Sequence, residues 1–278
     1  MSASTSRTLR RVGRFVLIAL AVIWSVGPLV LMYTASFKTD DVLAKVPPTF
    51  VFTPTLEHYR KLLDTTPFVQ YLWNTLVVAI STTVLSLTFG ALAAYSFTRF
   101  RFPGSDSLPL FYLVMRMLPR FVLVIPYYLL MRQIGLLNTH SALILAYAGF
   151  SLPFCIWLLI GFFKEIPIEL EEAGMVDGAN RLGVFTRIVI PLVAPGLAAT
   201  AIFTFLLGWN ELLFSLVLAG RDSRTLPTLA TSFSVSDRGI EWGPLNAMGS
   251  LVLLPVIVMA LLVQQHIVKG MTMGAVKG

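Results

Sequence analysis

The sequence predicts an all-α protein, a polytopic bundle of six membrane-spanning helices with both termini in the cytoplasm. Three observations predict it. Of 278 residues, 56% are hydrophobic and 13% charged, against roughly 25% charged in a soluble domain. Six mostly apolar stretches recur along the chain, each near the roughly 20 residues that cross about 30 Å of hydrocarbon. Arg7, Arg10, Arg11 and Arg14 stand directly before the first stretch, and basic residues beside a span mark its cytoplasmic end.

The spans follow in order. Residues 15–37 carry no charge. Residues 65–98 carry none and hold a span near 70–95. Residues 107–131 are apolar apart from Arg116 and Arg120. Residues 142–163 are uncharged, 195–217 are interrupted by Glu211, and 242–265 are uncharged. The expected layout is a basic tail over 1–14, a six-span domain over 15–268, and a cytoplasmic tail over 269–278. The first tail lacks a small-residue cleavage site after a short apolar stretch, so it reads as an anchor rather than a removed signal. With the N-terminus inside, inner segments hold 11 basic residues and outer segments 8. The net charge of +7 is then explained by cytoplasmic span ends, and no nucleic-acid partner is expected. The bilayer is the expected surrounding. The single cysteine, Cys155, lies in an apolar run and reads as a small core residue. Outer segments after spans one and five are long enough for short helices, and Pro47 with Pro48 punctuates the first.

The segment 164–191 is unlike the rest, being polar and at a cytoplasmic position. Pro167 suits the start of a helix, and Glu169, Glu171 and Glu172 suit its first turns. Leu170, Ala173 and Val176 are spaced at three and share a face. Asp177 and Gly178 end the helix, glycine accepting a left-handed turn. A second amphipathic piece, with Leu182, Phe185 and Ile188 at spacing three, leads to Pro191. A short helix, a turn and a second helix lying on the membrane face would fit a groove in a soluble subunit. They would equally cap the chain's own bundle.

Within the membrane, Arg116 and Arg120 are four apart and share a helix face. A charge at a span centre costs about 2.5–3.5 kcal/mol. The two therefore face a partner span or an aqueous path, or they snorkel. Pro119 and Pro126 suggest a broken helix, tolerated where it lines a cavity. Asn210 and Glu211 interrupt the fifth span, and Glu211 is placed to pair with one arginine. A structural ion pair and a place on a translocation path both fit. Trp73, Tyr127, Tyr128 and Trp209 have aromatic faces open to stacking, although Trp73 and Trp242 read better as interfacial anchors. His58, His140 and His266 fall in separate segments and read as interfacial residues rather than metal or catalytic groups. There is no G-x-x-x-x-G-K-[ST] phosphate loop, and neither H-E-x-x-H nor G-x-S-x-G occurs. The chain is not expected to be an enzyme.

The segment 164–191 resembles the signature loop of binding-protein-dependent ABC importers: Glu-Ala-Ala, three residues, Gly, nine residues, Ile-x-Leu-Pro. Glu172, Ala173, Gly178, Ile188 and Pro191 match at that spacing, while Gly174 replaces an alanine and Ile190 a leucine. The departure at Gly174 should loosen the helix by roughly 1 kcal/mol. Further pieces look like the maltose-type carbohydrate permeases: Thr55 to Tyr59, Asn74 with Thr75, Ala93 to Phe97, Phe102 to Gly104, Asp177 to Ala179, Trp209 to Glu211, and Gly274 to Gly278. The resemblance covers nearly the whole chain. It implies a permease subunit importing a sugar, oligosaccharide or polyol. Its partners would be a second homologous permease, two ATP-binding subunits that hold ATP and magnesium, and an extracellular or periplasmic binding protein. It implies that Glu172, Ala173, Gly174, Asp177, Gly178, Ile188 and Pro191 form the ATPase-coupling contact, with Glu172 pairing to a basic residue of the ATPase. It also draws Arg116, Arg120, Asn210 and Glu211 toward the translocation path. Two alternatives stay open: import of a glycerol-phosphate-like or other small solute, and a secondary carrier without an ATPase. The carrier would require inverted repeats, and no convincing repeat is visible.

Overall fold

The computed structural model describes residues 3–234 and 239–274, with side chains for all of these except 3–10, 113, 116 and 262–274. Helices are α1 (Ala3–Ser36), α2 (Asp40–Leu43), α3 (Glu57–Thr65), α4 (Phe68–Arg99), α5 (Leu108–Arg116), α6 (Arg120–Gln133) and α7 (His140–Lys164). They continue with α8 (Ile168–Val176), α9 (Arg181–Val184), a π-helical segment Phe185–Val189, α10 (Ile190–Trp209), α11 (Leu213–Leu218), α12 (Leu226–Ser234) and α13 (Trp242–Gly274). Among the described residues, five runs are long and apolar enough to cross a membrane: Arg11–Ser36, Phe68–Arg99, His140–Lys164, Arg181–Trp209 and Trp242–Leu261.

The stretch expected as the third span forms two helices, α5 and α6. The break falls at Pro119, which precedes α6 with φ −60° and ψ 125°. Proline cannot donate to the preceding turn, and it pushes its predecessor away from helical geometry. Pro126 is carried inside α6. The expected fifth span ends early, at Trp209, and resumes as the short α11. It also starts early. The expected second amphipathic piece continues into it through the π segment, as one helical run from Arg181 to Trp209. Helix α1 includes the basic N-terminal tail, and α13 continues through Gly274. Residues 275–278 of the expected C-terminal tail lie outside the described residues.

The chain forms two compact units. One comprises Met1–Pro67 and Ala230–Leu254. In it, Tyr33 donates to the Ser250 carbonyl at 2.9 Å, and Ser36 and Tyr59 hydroxyls meet at 2.7 Å. His58 is almost fully buried, with Nε2 2.8 Å from the Lys38 carbonyl. A Cβ on Gly243 would strike its ring. His58 is thus a packed core residue and not the interfacial one its sequence position suggested.

The other unit comprises Phe68–Leu229 and Pro255–Gly278. Its centre is α4 packed on α7 and α10. Lipid tails are as apolar as leucine, so close approach must hold such helices together, and small residues permit it. A Cβ on Gly90 would lie 2.8 Å from the Cys155 Cβ, and one on Gly208 3.3 Å from the Ala79 Cα. Cys155 is fully buried, its Sγ 3.1 Å from the Thr204 hydroxyl. One apolar cluster joins Val78, Leu143, Tyr147, Phe214 and Leu218 of α4, α7 and α11. A second joins Ala94, Leu159, Phe163, Val184, Val189 and Val193 of α4, α7, α9, the π segment and α10.

Helix α4 spans 32 residues, about 48 Å at 1.5 Å per residue. Its first turns hold the loop 219–226. The Asn74 amide donates to the carbonyls of Asp222 (2.8 Å) and Arg224 (2.9 Å). Asn74 Oδ1 lies 2.9 Å from His140 Nε2; with the amide nitrogen already donating, His140 carries its proton on Nε2. Thr75 accepts from the Leu226 N–H at 2.8 Å and donates to the Tyr71 carbonyl.

Candidate functional site

The loop between α7 and α10 is built from helix-end rules. Pro167, with φ −59° and ψ 133°, sits at the N-cap of α8, one position before the helical start expected for it. Glu169 and Glu171 occupy the first turn, where carboxylates oppose the positive helix end. At the other end, Ala179 N–H reaches the Gly174 carbonyl (3.0 Å) and Gly178 N–H the Met175 carbonyl (3.1 Å). Gly178 has φ +90°. This is the Schellman closure, which places a left-handed residue just past the helix and strongly favours glycine there. Asn180 then caps α9, its Oδ1 accepting from the Gly183 N–H at 2.8 Å.

Helix α8 has two faces. Leu170, Ala173 and Val176 are exposed together, as their spacing predicts, with Val176 87% exposed. Glu172, Asp177 and Gly178 are exposed beside them. Glu171 and Gly174 are buried on the opposite face. A Cβ on Gly174 would strike the Ile188 Cδ1, so the glycine lets α8 sit directly on the following helix. Ile188 thus lies against the covered face of α8, while Pro191 is the second residue of α10.

The face predicted for the second piece is not formed. Leu182 is 67% exposed, while Val184, Phe185 and Val189 are buried. Leu182 lies in the exposed first turn of α9, and beyond α9 the π segment changes the periodicity. The Ile190 N–H bonds to the Phe185 carbonyl, five residues back, so residues five apart, such as Val184 and Val189, share a face. Pro191 stands just beyond. It has no N–H, and its ring crowds the carbonyl four residues back, at Arg187 within the wider turn.

The centre of the buried side is Glu171, to which the sequence motif does not point; the motif singles out Glu172. The Glu171 Oε1 lies 2.5 Å from Arg99 Nε, and its Oε2 accepts from the Tyr95 hydroxyl at 2.7 Å. The same guanidinium donates from Nη2 to the carbonyls of Phe163 (3.1 Å), in the last turn of α7, and Ile166 (3.0 Å), in the turn that follows it, at a helix end where carbonyls lack intrahelical partners. The side chains of Arg99 and Glu171 are 9% and 5% exposed. The Tyr95 ring tilts onto Phe185 at 4.8 Å, and the Arg181 guanidinium lies over the Phe100 ring at 5.1 Å. A signal was available. Glu171 and Gly174 are three apart, on the face opposite Leu170 and Val176, and Arg99 is the first charge after the uncharged 65–98 stretch.

The polar residues inside the spans meet in part. Arg120, first residue of α6, pairs through Nη1 with Glu211 Oε2 at 2.5 Å. Glu211 Oε1 accepts from the Phe214 N–H at 3.1 Å, inside the first turn of α11. Arg120 also lies over the Phe150 ring at 5.7 Å. The pair thus joins the break before α6 to the break before α11. Glu211 is buried and Arg120 40% exposed by side chain. With Tyr147, Phe150, Ser151 and Leu207 they line a crevice with room for about one water. Asn210 is exposed and returns its amide to the Leu206 carbonyl at 2.9 Å, closing α10. The side chain of Arg116 lies outside those described. Buried Trp209 stacks on Phe205 at 5.4 Å, and its indole N–H has no hydrogen-bond partner among the described residues.

Comparison with known proteins places this architecture. The family model described as "Binding-protein-dependent transport system inner membrane component" matches residues 86–273. A probable ABC transporter permease protein of Sinorhizobium fredii is 36% identical over 277 residues, covering 100% of this chain and 99% of its own length. The trehalose/maltose transport system permease protein of Thermococcus litoralis is 35% identical over 260 residues, covering 90% of this chain and 91% of its own. Among solved structures, a chain of a bacterial ABC transporter involved in import of the acidic polysaccharide alginate aligns with TM-score 0.77. It is 21% identical and covers 95% of this chain and 98% of that one, a likeness of fold. The chain belongs to the family of binding-protein-dependent transport system inner membrane components, the multi-pass permease subunits of bacterial ABC transporters.

Proposed function

We propose that this chain is one of two membrane-spanning subunits of an ATP-driven importer for a sugar, oligosaccharide or polyol. Its partners in this reading are a second homologous permease, two ATP-binding subunits and an extracellular binding protein that delivers the solute. The chain is the transport subunit; ATP and magnesium belong to the ATP-binding partners. The segment 164–191 is the coupling loop, with its side of the membrane cytoplasmic. Glu172, Ala173, Gly174, Asp177, Gly178, Ile188 and Pro191 shape or make the contact with the ATPase.

One observation carries the reading. Leu170, Val176 and Leu182 stand exposed around Glu172 on a segment whose other face is fastened by buried charges. A polar loop that orders itself this tightly and still presents apolar side chains is built to be covered. The sugar class is supported by the trehalose/maltose permease among the relatives. The Arg120–Glu211 pair favours a neutral solute over an anionic one, because the arginine's charge is already matched. We place that pair on the translocation path, together with Asn210 and Arg116. The support is its position between two helix breaks and next to Trp209, whose buried indole N–H lacks a partner among the described residues.

The test is purification of the tagged chain from its native membrane in mild detergent. Recovery of an ATPase, a second permease and a binding protein that takes a sugar or polyol is the expected outcome. A chain recovered alone that moves solute without ATP would replace the reading with a secondary carrier.

A further inference from the structure

Glu171 is the one buried acid of α8, and it is fully engaged with residues of the same chain. It receives Arg99 and Tyr95 of α4, and Arg99 in turn holds the end of α7 through two carbonyls. These three side chains therefore join the buried face of α8 to the ends of two long helices. The apolar contacts of α8 run mainly in another direction, onto the helical run that follows it: a Cβ on Gly174 would meet Ile188 and Val184. The ion pair is thus the polar attachment of α8 to α4 and α7. Both side chains are buried, and separating a buried charge pair is costly, so the attachment moves with α8 rather than letting go.

We infer that Arg99, Glu171 and Tyr95 form a mechanical link that carries displacement of α8 into α4 and α7, separate from the exposed residues that touch the ATPase. They are positioning residues. None needs to meet ATP, the ATPase or the solute. The inference rests on the coupling-loop reading proposed above. It adds that docking and transmission are done by opposite faces of α8: Glu172 and its exposed neighbours dock, while Glu171 transmits. The charge matters here as well as the shape, because the guanidinium cannot hold the Phe163 and Ile166 carbonyls and α8 in one place without the carboxylate that fixes its plane.

The experiment uses the whole complex reconstituted in liposomes with its binding protein, measuring solute moved per ATP hydrolysed. The variants are Glu171→Gln, Tyr95→Phe and the exchanged pair R99E with E171R. For Glu171→Gln the expected result is a complex that still retains its ATPase subunits and hydrolyses ATP, with transport per ATP down by about 10-fold or more. Tyr95→Phe removes one of two contacts and lowers the ratio about 2- to 5-fold. The exchanged pair restores the charge match but leaves the Phe163 and Ile166 carbonyls without their donor, so its ratio stays low. Should Glu171→Gln fail to assemble, Tyr95→Phe and the exchanged pair still decide, since a purely structural role would leave the ratio of every assembled variant unchanged. An unchanged ratio in the assembled variants, alongside ATP-dependent transport by the wild type, overturns the link and leaves the coupling-loop reading standing. ATP-independent transport by the wild type overturns both.

Discussion

The two ends of α4 are fastened by different chemistry. At the Phe68 end, Asn74 and Thr75 hold the loop 219–226 with neutral hydrogen bonds, mostly to backbone groups. At the Arg99 end, a buried guanidinium and carboxylate hold α8 and the close of α7. Short amide and hydroxyl side chains reach only immediate neighbours, so they fix one register. A long arginine gathers three acceptors from beyond its own helix. The first arrangement suits a loop that stays put, and the second a loop that is pulled. The difference also sets what removal costs. A neutral bond is worth about 0.5–1.5 kcal/mol net, while breaking a buried ion pair costs about 3–5 kcal/mol because a charge is left unmatched.

Substitutions at the two ends probe that contrast, most severely at the buried ion pair. Glu171→Ala strands Arg99 and should lower unfolding stability by about 3–5 kcal/mol, read as a thermal shift of the detergent-solubilised protein. Asn74→Ala removes two donated bonds and the acceptor of His140, for about 1–3 kcal/mol. If its loss equals that of Glu171→Ala, the two ends do not differ as described. Thr75→Val keeps the shape and leaves the Leu226 N–H without its acceptor. About 1 kcal/mol is expected, with faster amide exchange at Leu226 as the local signature. Gly174→Ala is the mildest. The gain in helix propensity, about 1 kcal/mol, is offset by the displacement of Ile188, and the net shift should stay within about 1 kcal/mol. A larger loss would mean that α8 cannot move off the following helix at all.

Much of this was legible in sequence because it is local. Uncharged runs near 20 residues located the long helices, Pro119 marked a break, and Gly178 marked a left-handed turn. The exposed face of α8 followed from spacing at three. What escaped was of two kinds. The π segment changes which residues share a face beyond α9, so Val184 and Val189, five apart, are buried together while spacing at three gave a stripe that is not formed. The fasteners escaped because their partners are remote. Glu171 and Arg99 are 72 residues apart, and Asn74 and Arg224 are 150; no periodicity links such positions. Between Glu171 and Glu172, the motif resemblance singled out the second, and only the packed face of α8 reveals the first.

The most direct test concerns the turn at Gly178. Its φ of +90° is strained for any β-branched residue, by about 1–2 kcal/mol, and a Cβ there meets nothing within 4 Å. Gly178→Val should therefore reshape the exposed surface with little change to the buried core. ATP-dependent solute uptake by the reconstituted complex, wild type against Gly178→Val, is the decisive measurement. ATP-dependent uptake by the wild type and its loss in the variant, with both proteins inserted and folded, is the expected result. Equal uptake by the two would contradict the placing of ATP coupling in the 164–191 loop.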